Sequence, residues 1–214
     1  YTLVSTNKDI YLEQAALSAY SVKKYSPNTT VYLVVDNKTD SLIIGNRNIL
    51  MKYIDNKVVV DLSDEYTNSE KSRILKTNLR NYIKGPFLFV DTDTLICSPL
   101  DEIDNLLDEG ISMAAVKDGH SIFKEMYYYN TQIERSSIIG WDISNDTIHF
   151  NSGVMFVADN DFTHQFYNKW YNNWLFERSK GFYYDQLALA YTNGQFNYPI
   201  RVLDNSWNCQ IEVD

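Results

Sequence analysis

The sequence is poor in positive charge, in cysteine and in long apolar runs, and each shortage excludes a class of protein. Its formal net charge of −9 argues against nucleic acid or anionic membrane surfaces as broad partners. Cys97 and Cys209 are the only cysteines, which is too few for a disulfide framework, so we expect a reducing compartment. The expected location is the cytoplasm, and peripheral attachment to the inner face of the membrane is compatible with it. No apolar run reaches the roughly 18 to 20 residues that cross a bilayer, so no transmembrane segment is predicted.

The common glycine signatures of nucleotide binding are also absent, although the chain reads as an α/β protein. Neither Gly-x-Gly-x-x-Gly nor a Gly-Lys-Ser/Thr loop follows a predicted strand. Predicted strands nevertheless alternate with helices, which favours a three-layer α/β/α fold with a mixed, mostly parallel sheet. One of these helices is predicted over Ser69 to Ile83, with Asn68 or Ser69 as its cap. We expect one domain over residues 1–214, with its natural ends left open.

The most informative stretch is an apolar run that ends in two acidic residues. Phe87 to Val90 reads as a strand buried on both faces, and Asp91, Thr92 and Asp93 follow it. Residues i and i+2 of an extended chain point to one side, so both carboxylates can face one point. Ligands of open α/β sheets bind just past the carboxyl ends of strands. A divalent ion, Mn²⁺ or Mg²⁺, would relieve the repulsion of the two carboxylates; the alternative is a solvated turn.

The second half of the chain contributes two further polar clusters and one aromatic stripe. Asn151, Ser152 and Gly153 interrupt the apolar strand predicted over Phe150 to Ala158, and Asp185 with Gln186 opens a later helix. The helix predicted over Asp161 to Lys180 carries aromatic residues four apart, which we interpret as core packing rather than a sugar platform. They are Phe162, Phe166, Trp170 and Trp174.

Taken in order, the three polar motifs resemble the retaining glycosyltransferases that include glycogenin and the bacterial lipooligosaccharide galactosyltransferases, a family 8-like group. The matching segments are Val90 to Leu95, Phe150 to Met155, and Asp185-Gln186, and the resemblance runs over nearly the whole chain. It implies a GT-A fold, a UDP-sugar donor, a divalent metal, and transfer of a hexose to a glycan or glycoprotein acceptor.

The resemblance also implies a role for individual residues. Asp91 and Asp93 would hold Mn²⁺ or Mg²⁺ against the donor diphosphate, with Thr92 on the donor side. The loop after the first strand would bind uracil and ribose through Ser5, Thr6, Asn7 and Tyr11. Lys76, assisted by Arg73, would reach the phosphates and the donor sugar. Asn151 and Ser152 would face that sugar, Asp185 would bind its hydroxyls, and Gln186 would lie beneath the anomeric carbon.

Several alternatives stay open at the level of sequence. Ser5, Thr6, Asn7 and Asp185 suit helix caps, Lys76 suits a solvated helix face, and an inverting mechanism would recruit Asp185 as a base. Asp91-Thr92-Asp93 also matches the start of haloacid-dehalogenase-type phosphatases. A catalytically degenerate nucleotide-sugar-binding protein is the non-enzymatic alternative. The family supplies its third metal ligand from a C-terminal histidine, and none follows His164 here; a segment beyond residue 214, Asp204, Asn208 or water would replace it.

Overall fold

The computed structural model describes residues 1–120, 129–141, 143 and 147–210, and these residues form two compact units. The first unit contains Tyr1–Ile83 and Val90–Glu109, and the second contains Lys84–Phe89 and the described residues from Gly110 onward. The prediction of a single domain stays a prediction.

The first unit is built on a three-stranded parallel sheet in the order β1-β2-β3. Apolar residues of the strands and of the following helix form its core, with Leu3, Leu12, Leu33 and Val35 almost fully buried. The strands are β1 (Thr2–Leu3), β2 (Tyr32–Asp36) and β3 (Asn56–Val60). The helices are α1 (Tyr11–Tyr25), α2 (Asn37–Leu42), α3 (Asn68–Thr77), α4 (Leu79–Tyr82) and α5 (Asn105–Asp108), with 3₁₀ helices at Gly45–Tyr53 and Asp101–Asp104.

The second unit is built on a four-stranded sheet in the order β4-β6-β5-β7, although Val90 at the end of β4 belongs to the first unit. Strand β5 pairs antiparallel with β6 and parallel with β7. The strands are β4 (Phe87–Val90), β5 (Met113–Lys117), β6 (Phe150–Val157) and β7 (Arg201–Val202). The helices are α6 (Tyr129–Ile139), α7 (Asp161–Ser179) and α8 (Asp185–Gln195), with 3₁₀ helices at Asp118–His120 and Asn205–Asn208.

The helix predicted over Ser69 to Ile83 differs from the observed one at its start and in its middle. Thr67, rather than Asn68 or Ser69, is the cap, because its hydroxyl accepts the Glu70 N–H while the Glu70 carboxylate accepts the Thr67 N–H at 2.7 Å. The helix then breaks at Asn78, whose side-chain amide donates to the Ile74 carbonyl at 3.0 Å. A short polar side chain that bonds to the backbone in this way competes with the helical ladder.

Three of the four aromatic residues of the α7 stripe are fully buried in the core, as predicted: Phe166, Trp170 and Trp174. The fourth, Phe162, is half-buried and packs on Phe166 and Phe196. Mostly parallel pairing and alternating helices confirm the α/β class. Within the described part of the chain, no helix combines the length and the apolar character that a membrane span requires.

Candidate functional site

The carboxyl end of β4 leads directly into the predicted metal motif. Asp91, Thr92, Asp93 and Thr94 form a tight turn in which the Thr94 N–H donates to the Asp91 carbonyl at 3.1 Å. The motif is therefore a turn and not the extended chain on which the i, i+2 argument relied. Asp93 is exposed, and Asp91 and Thr92 are half-buried.

Three serines, two in α1 and one directly after it, hold the chain that leaves this turn. The Ser18 hydroxyl donates to the Thr94 carbonyl. The Ser21 hydroxyl accepts the Ile96 N–H at 2.9 Å, and that of Ser26 accepts the Leu100 N–H at 2.8 Å. The segment after the acidic motif has no regular structure of its own, so these contacts replace the backbone bonds that it lacks.

Lys76 lies against Asp91, the first carboxylate of the turn. Its ammonium is 3.2 Å from Asp91 Oδ2 and 3.4 Å from Oδ1, and the lysine is only 5% exposed. The Asp91 side chain is 40% exposed, so one end of the pair faces solvent. A buried lysine needs a compensating charge, and Asp91 supplies it. The alternative of a fully solvated Lys76 is therefore wrong.

The donor set at this turn fits a hard divalent cation that keeps several ligands from outside the protein. It offers the carboxylates of Asp91 and Asp93, and Mg²⁺ is commonly bound through one or two carboxylates with water and substrate phosphate. Among the described residues, no group of three or more His, Cys, Asp or Glu side chains is arranged to hold a metal. Two carboxylates are thus what the described chain provides.

The predicted nucleotide loop after β1 is organised around a residue that the sequence analysis did not select, Asp9. Its carboxylate accepts the Ser5 hydroxyl at 2.7 Å, the Thr6 N–H at 2.5 Å, the Thr6 hydroxyl at 2.6 Å and the Tyr11 N–H at 3.2 Å. Burial acts to raise the pKa of Asp9, but the hydrogen bonds from Thr6, Ser5 and Tyr11 outweigh it and lower that pKa. The hydroxyls of Ser5 and Thr6 therefore shape the loop.

Other predicted residues of the loop point to solvent, and one cation lies beside them. Asn7 and Tyr11 are exposed. The Arg47 guanidinium is 3.4 Å from the Ser5 hydroxyl, 3.3 Å from the Thr6 carbonyl and 3.7 Å from a Glu13 carboxylate oxygen. Arg47 gives the loop a positive neighbour that the sequence pattern did not indicate.

Helix α3 supplies a second buried lysine to the first unit. Lys71 Nζ is 3.2 Å from the Asp36 carboxylate at the end of β2, and both side chains are almost fully buried. Arg73, half-buried on the same helix, lies one turn before Lys76. Lys71 and Lys76 thus bring two ammonium groups of one helix to carboxylates at the ends of two strands.

In the second unit, Asn151 is the centre of an amide network. Its Nδ2 donates to Asp118 Oδ1 at 2.8 Å, and its Oδ1 accepts from the Gly153 N–H at 2.8 Å and from Asn208 Nδ2 at 3.0 Å. Asp118 directly follows β5, and the register of β5 with β6 pairs Lys117 with Phe150. The network therefore fixes the Asn151 amide at the carboxyl end of β5.

Ser152 and Asp185 bond to each other in the same unit. The Ser152 hydroxyl donates to Asp185 Oδ2 at 2.8 Å, and Asp185, the first residue of α8, is only 3% exposed. A carboxylate in the first turn of a helix is stabilised by the helix dipole. Gln186 follows it and is half-buried.

Two other buried titratable groups, His149 and Glu177, interact electrostatically with Asp185. Burial lowers the pKa of His149 to about 4, against the opposing charges of Asp118 and Asp185. Burial, and then the charge of Asp185, raises the pKa of Glu177 to about 8, against the opposing charge of Arg135. At neutral pH both His149 and Glu177 are therefore uncharged, and Asp185 has no negative neighbour in Glu177.

The predicted residues thus fall into two groups, one in each unit. The first unit carries Ser5, Thr6, Asn7, Tyr11, Arg73, Lys76, Asp91, Thr92 and Asp93, and the second carries Asn151, Ser152, Asp185 and Gln186. The structure brings Lys76 to Asp91 and Ser152 to Asp185. The individual ligand roles stay predictions.

Comparison with solved structures identifies the fold. The chain is similar to the galactosyltransferase LgtC in complex with donor and acceptor sugar analogues, with 18% identity and a TM-score of 0.60 over 92% of this chain and 71% of that one. An active-site mutant of LgtC gives 16% identity and a TM-score of 0.59 over 92% of this chain and 70% of that one.

The chain has the GT-A glycosyltransferase fold. It is also similar to the apo form of the bifunctional glycosyltransferase WbbM, with 14% identity and a TM-score of 0.57 over 96% of this chain and 39% of that one. No protein-family model and no curated protein sequence matches it. At these identities the likeness establishes the GT-A fold and leaves activity to be argued from the residues.

Some of the residues that the sequence analysis missed carried a signal. Asp36 ends β2 and Asp118 directly follows β5, much as Asp91 follows β4, and the same logic would have found them. Asp9, Arg47 and Glu177 carried none, because their contacts depend on how distant segments meet.

Proposed function

We propose that the protein is a metal-dependent glycosyltransferase that transfers a hexose from a UDP-sugar to a glycan or glycoprotein acceptor, with retention. The observation that carries the proposal is the bond of the buried Lys76 ammonium to Asp91, at the carboxyl end of β4 in a GT-A fold. Asp91 and Asp93 would bind the cation, and Lys76 adds a positive charge for the diphosphate in a chain whose net charge is negative.

The first unit would bind the nucleotide diphosphate. Asp91 and Asp93 would hold Mn²⁺ or Mg²⁺, and such an ion, when bound, stabilises negative charge on a departing diphosphate. Lys76 would share its charge between Asp91 and a phosphate oxygen, with Arg73 one turn away. The Asp9-centred loop would receive uracil and ribose through Asn7, Tyr11 and the backbone that Ser5 and Thr6 fix.

The second unit would bind the sugar. Asn151 is held by three partners and Asp185 by Ser152, so both polar groups are fixed before a ligand arrives. Asp185 would bind sugar hydroxyls, and the Gln186 amide oxygen would stabilise positive charge at the anomeric carbon. In a retaining reaction a diphosphate oxygen accepts the acceptor proton, so no protein base is required.

Two alternatives make different predictions. A haloacid-dehalogenase-type phosphatase would use Asp91 as a nucleophile, and the GT-A fold disfavours it. A degenerate nucleotide-sugar-binding protein would bind a UDP-sugar with metal and leave it intact. The fold is shared by the transferase and the degenerate binder, so turnover of a UDP-sugar has to separate these two.

Thermal-shift measurements with UDP-glucose and UDP-galactose, with and without Mn²⁺, test the proposal. We expect stabilisation that needs both nucleotide sugar and metal, together with slow release of UDP. Binding without release would favour the degenerate binder, and hydrolysis of p-nitrophenyl phosphate with no response to UDP-sugars would favour the phosphatase. No shift with any UDP ligand in a folded protein would refute the donor assignment.

A matched pair of variants separates metal binding from the ion pair. Asp91→Asn and Asp93→Asn should both abolish the metal-dependent shift, but only Asp91→Asn should lower the melting temperature without ligand, because the Asp91 carboxylate lies 3.2 Å from the buried Lys76 ammonium whereas Asp93 is exposed. A metal-dependent shift that survives in Asp93→Asn would mean that the two carboxylates do not share a cation.

A further inference from the structure

Asp185 and Gln186 begin α8, and the segment that leads into them has little local structure. Residues 182–184 belong to no helix or strand, and Tyr184, the N-cap of α8, makes no side-chain capping bond. A helix start without a side-chain cap leaves backbone groups that other partners must satisfy. The direction of the Asp185 side chain therefore depends on contacts from elsewhere in the second unit.

Two buried indoles of α7 provide those contacts. Trp170 Nε1 donates to the Asp185 carbonyl at 3.0 Å, and Trp174 Nε1 donates to the Tyr183 carbonyl at 3.4 Å. Both rings are fully buried, and they lie one helical turn apart on the same face of α7. Besides packing in the core, each indole therefore holds a backbone carbonyl near the start of α8.

The hydrogen bond from Trp170 acts on Asp185, which is proposed to bind the donor sugar. It fixes the main chain of Asp185, while Ser152 fixes the carboxylate of the same residue at 2.8 Å. A backbone anchor and a side-chain anchor together leave Asp185 little freedom to rotate. Well-aligned catalytic groups contribute through such restriction, and a small misplacement costs a large factor in rate.

We propose that Trp170 is a positioning residue that orients Asp185 through its indole N–H. This inference rests on the proposed function, in which Asp185 binds the hydroxyls of the donor sugar. It predicts that the N–H affects sugar turnover and leaves nucleotide binding to the first unit unchanged.

Trp170→Phe tests the inference, because phenylalanine keeps a buried ring and removes the N–H. With Mn²⁺ and the UDP-hexose that the wild type hydrolyses, we expect kcat to fall about tenfold and the Kd for UDP to change less than about twofold. Trp141→Phe is the matched control, because Trp141 is also buried in the second unit but stacks on Tyr191 at 4.3 Å. It should keep kcat within about threefold of the wild type.

A double variant tests whether Trp170 acts through Asp185. In an Asp185→Asn background, Trp170→Phe should cause little further loss of kcat. Multiplicative losses, an unchanged kcat in the single variant, or equal losses in Trp170→Phe and Trp141→Phe would each overturn the proposal.

The wild-type protein offers a test that needs no variant. We expect the ¹⁵N-indole resonance of Trp170 to move when a UDP-hexose binds with Mg²⁺ and to stay in place with UDP and Mg²⁺ alone. An indole resonance at the same position with UDP-hexose as with UDP would overturn the role of Trp170, even if the protein turns over its donor. Failure of the wild type to bind any UDP-hexose would instead refute the proposed function, and this inference with it.

Discussion

Glu177 provides the sharpest test of the electrostatics in the second unit. Its side chain is fully buried on α7, and among the described residues neither carboxyl oxygen has a partner at hydrogen-bonding distance and angle. Burial and the charge of Asp185 raise its pKa from 4.5 to about 8, while Arg135 and, more weakly, the Ala188 backbone oppose the rise. Folding therefore requires Glu177 to hold a proton that the unfolded chain releases above pH 4.5.

The sign and size of the pH dependence follow from this proton. The stabilising contribution of a raised pKa is complete below the unfolded value and is lost as pH rises towards the folded one. Between about pH 5 and pH 7.5 the folded state keeps the proton and the unfolded state does not, so the loss is about 1.4 kcal/mol per pH unit. It should level off above pH 8, where the folded protein also ionises.

Glu177→Gln isolates this contribution, because glutamine keeps the shape and cannot ionise. We expect the free energy of unfolding of the variant minus that of the wild type to rise by about 1.4 kcal/mol per pH unit over this range. Urea denaturation followed by tryptophan fluorescence provides the measurement, with Trp170 and Trp174 as buried reporters on the same helix.

Subtracting the two proteins removes the other titrating groups. Burial lowers the pKa of His149 to about 4, so its contribution is present above pH 6.5 and is lost as pH falls, in both proteins alike. Glu134→Gln, at an exposed position of α6, is the control for exchanging a carboxyl group for an amide. A flat difference for Glu177→Gln would refute the reasoning, because it would mean that folding leaves the pKa of Glu177 unchanged.

Three further predictions concern the first unit. Lys76→Met should weaken UDP binding in the presence of Mg²⁺ about tenfold, roughly 1.4 kcal/mol, without unfolding the protein, because the apolar stem still fills its buried site; calorimetry giving an unchanged Kd would contradict it. Asp9→Ala should weaken UDP binding by a similar factor, about tenfold, through release of the Ser5 and Thr6 hydroxyls, and an ordered loop with wild-type affinity would count against Asp9. Thr67→Ala should lower the free energy of unfolding by about 1 kcal/mol through loss of the capping box, with no effect on UDP affinity; denaturation and calorimetry check the two halves separately.

The elements of the fold and the chemistry of the strand ends were predictable from local pattern. The apolar run before Asp91, the polar interruption at Asn151 and the aromatic spacing of α7 all lie within short stretches, where a periodicity of two or of 3.6 decides the structure. The predicted strand at Phe150 and the helix at Asp161 begin at those residues in the structure. The cap of α3 was missed by one residue, because several neighbouring polar side chains suit that role and only the reciprocal bond with Glu70 selects Thr67.

The sequence by itself determined an acidic α/β chain with carboxylates, amides and a lysine in the order typical of a nucleotide-sugar site. Only the tertiary structure decided which of these groups meet. Lys76 and Asp91 are 15 residues apart, Ser152 and Asp185 are 33 apart, and Lys71 and Asp36 are 35 apart, and each pair bonds only because separate elements are brought together by packing. The shifted pKa of Glu177 and the anchoring of Asp185 by Trp170 have the same origin, since burial and hydrogen-bond partners are properties of the folded chain.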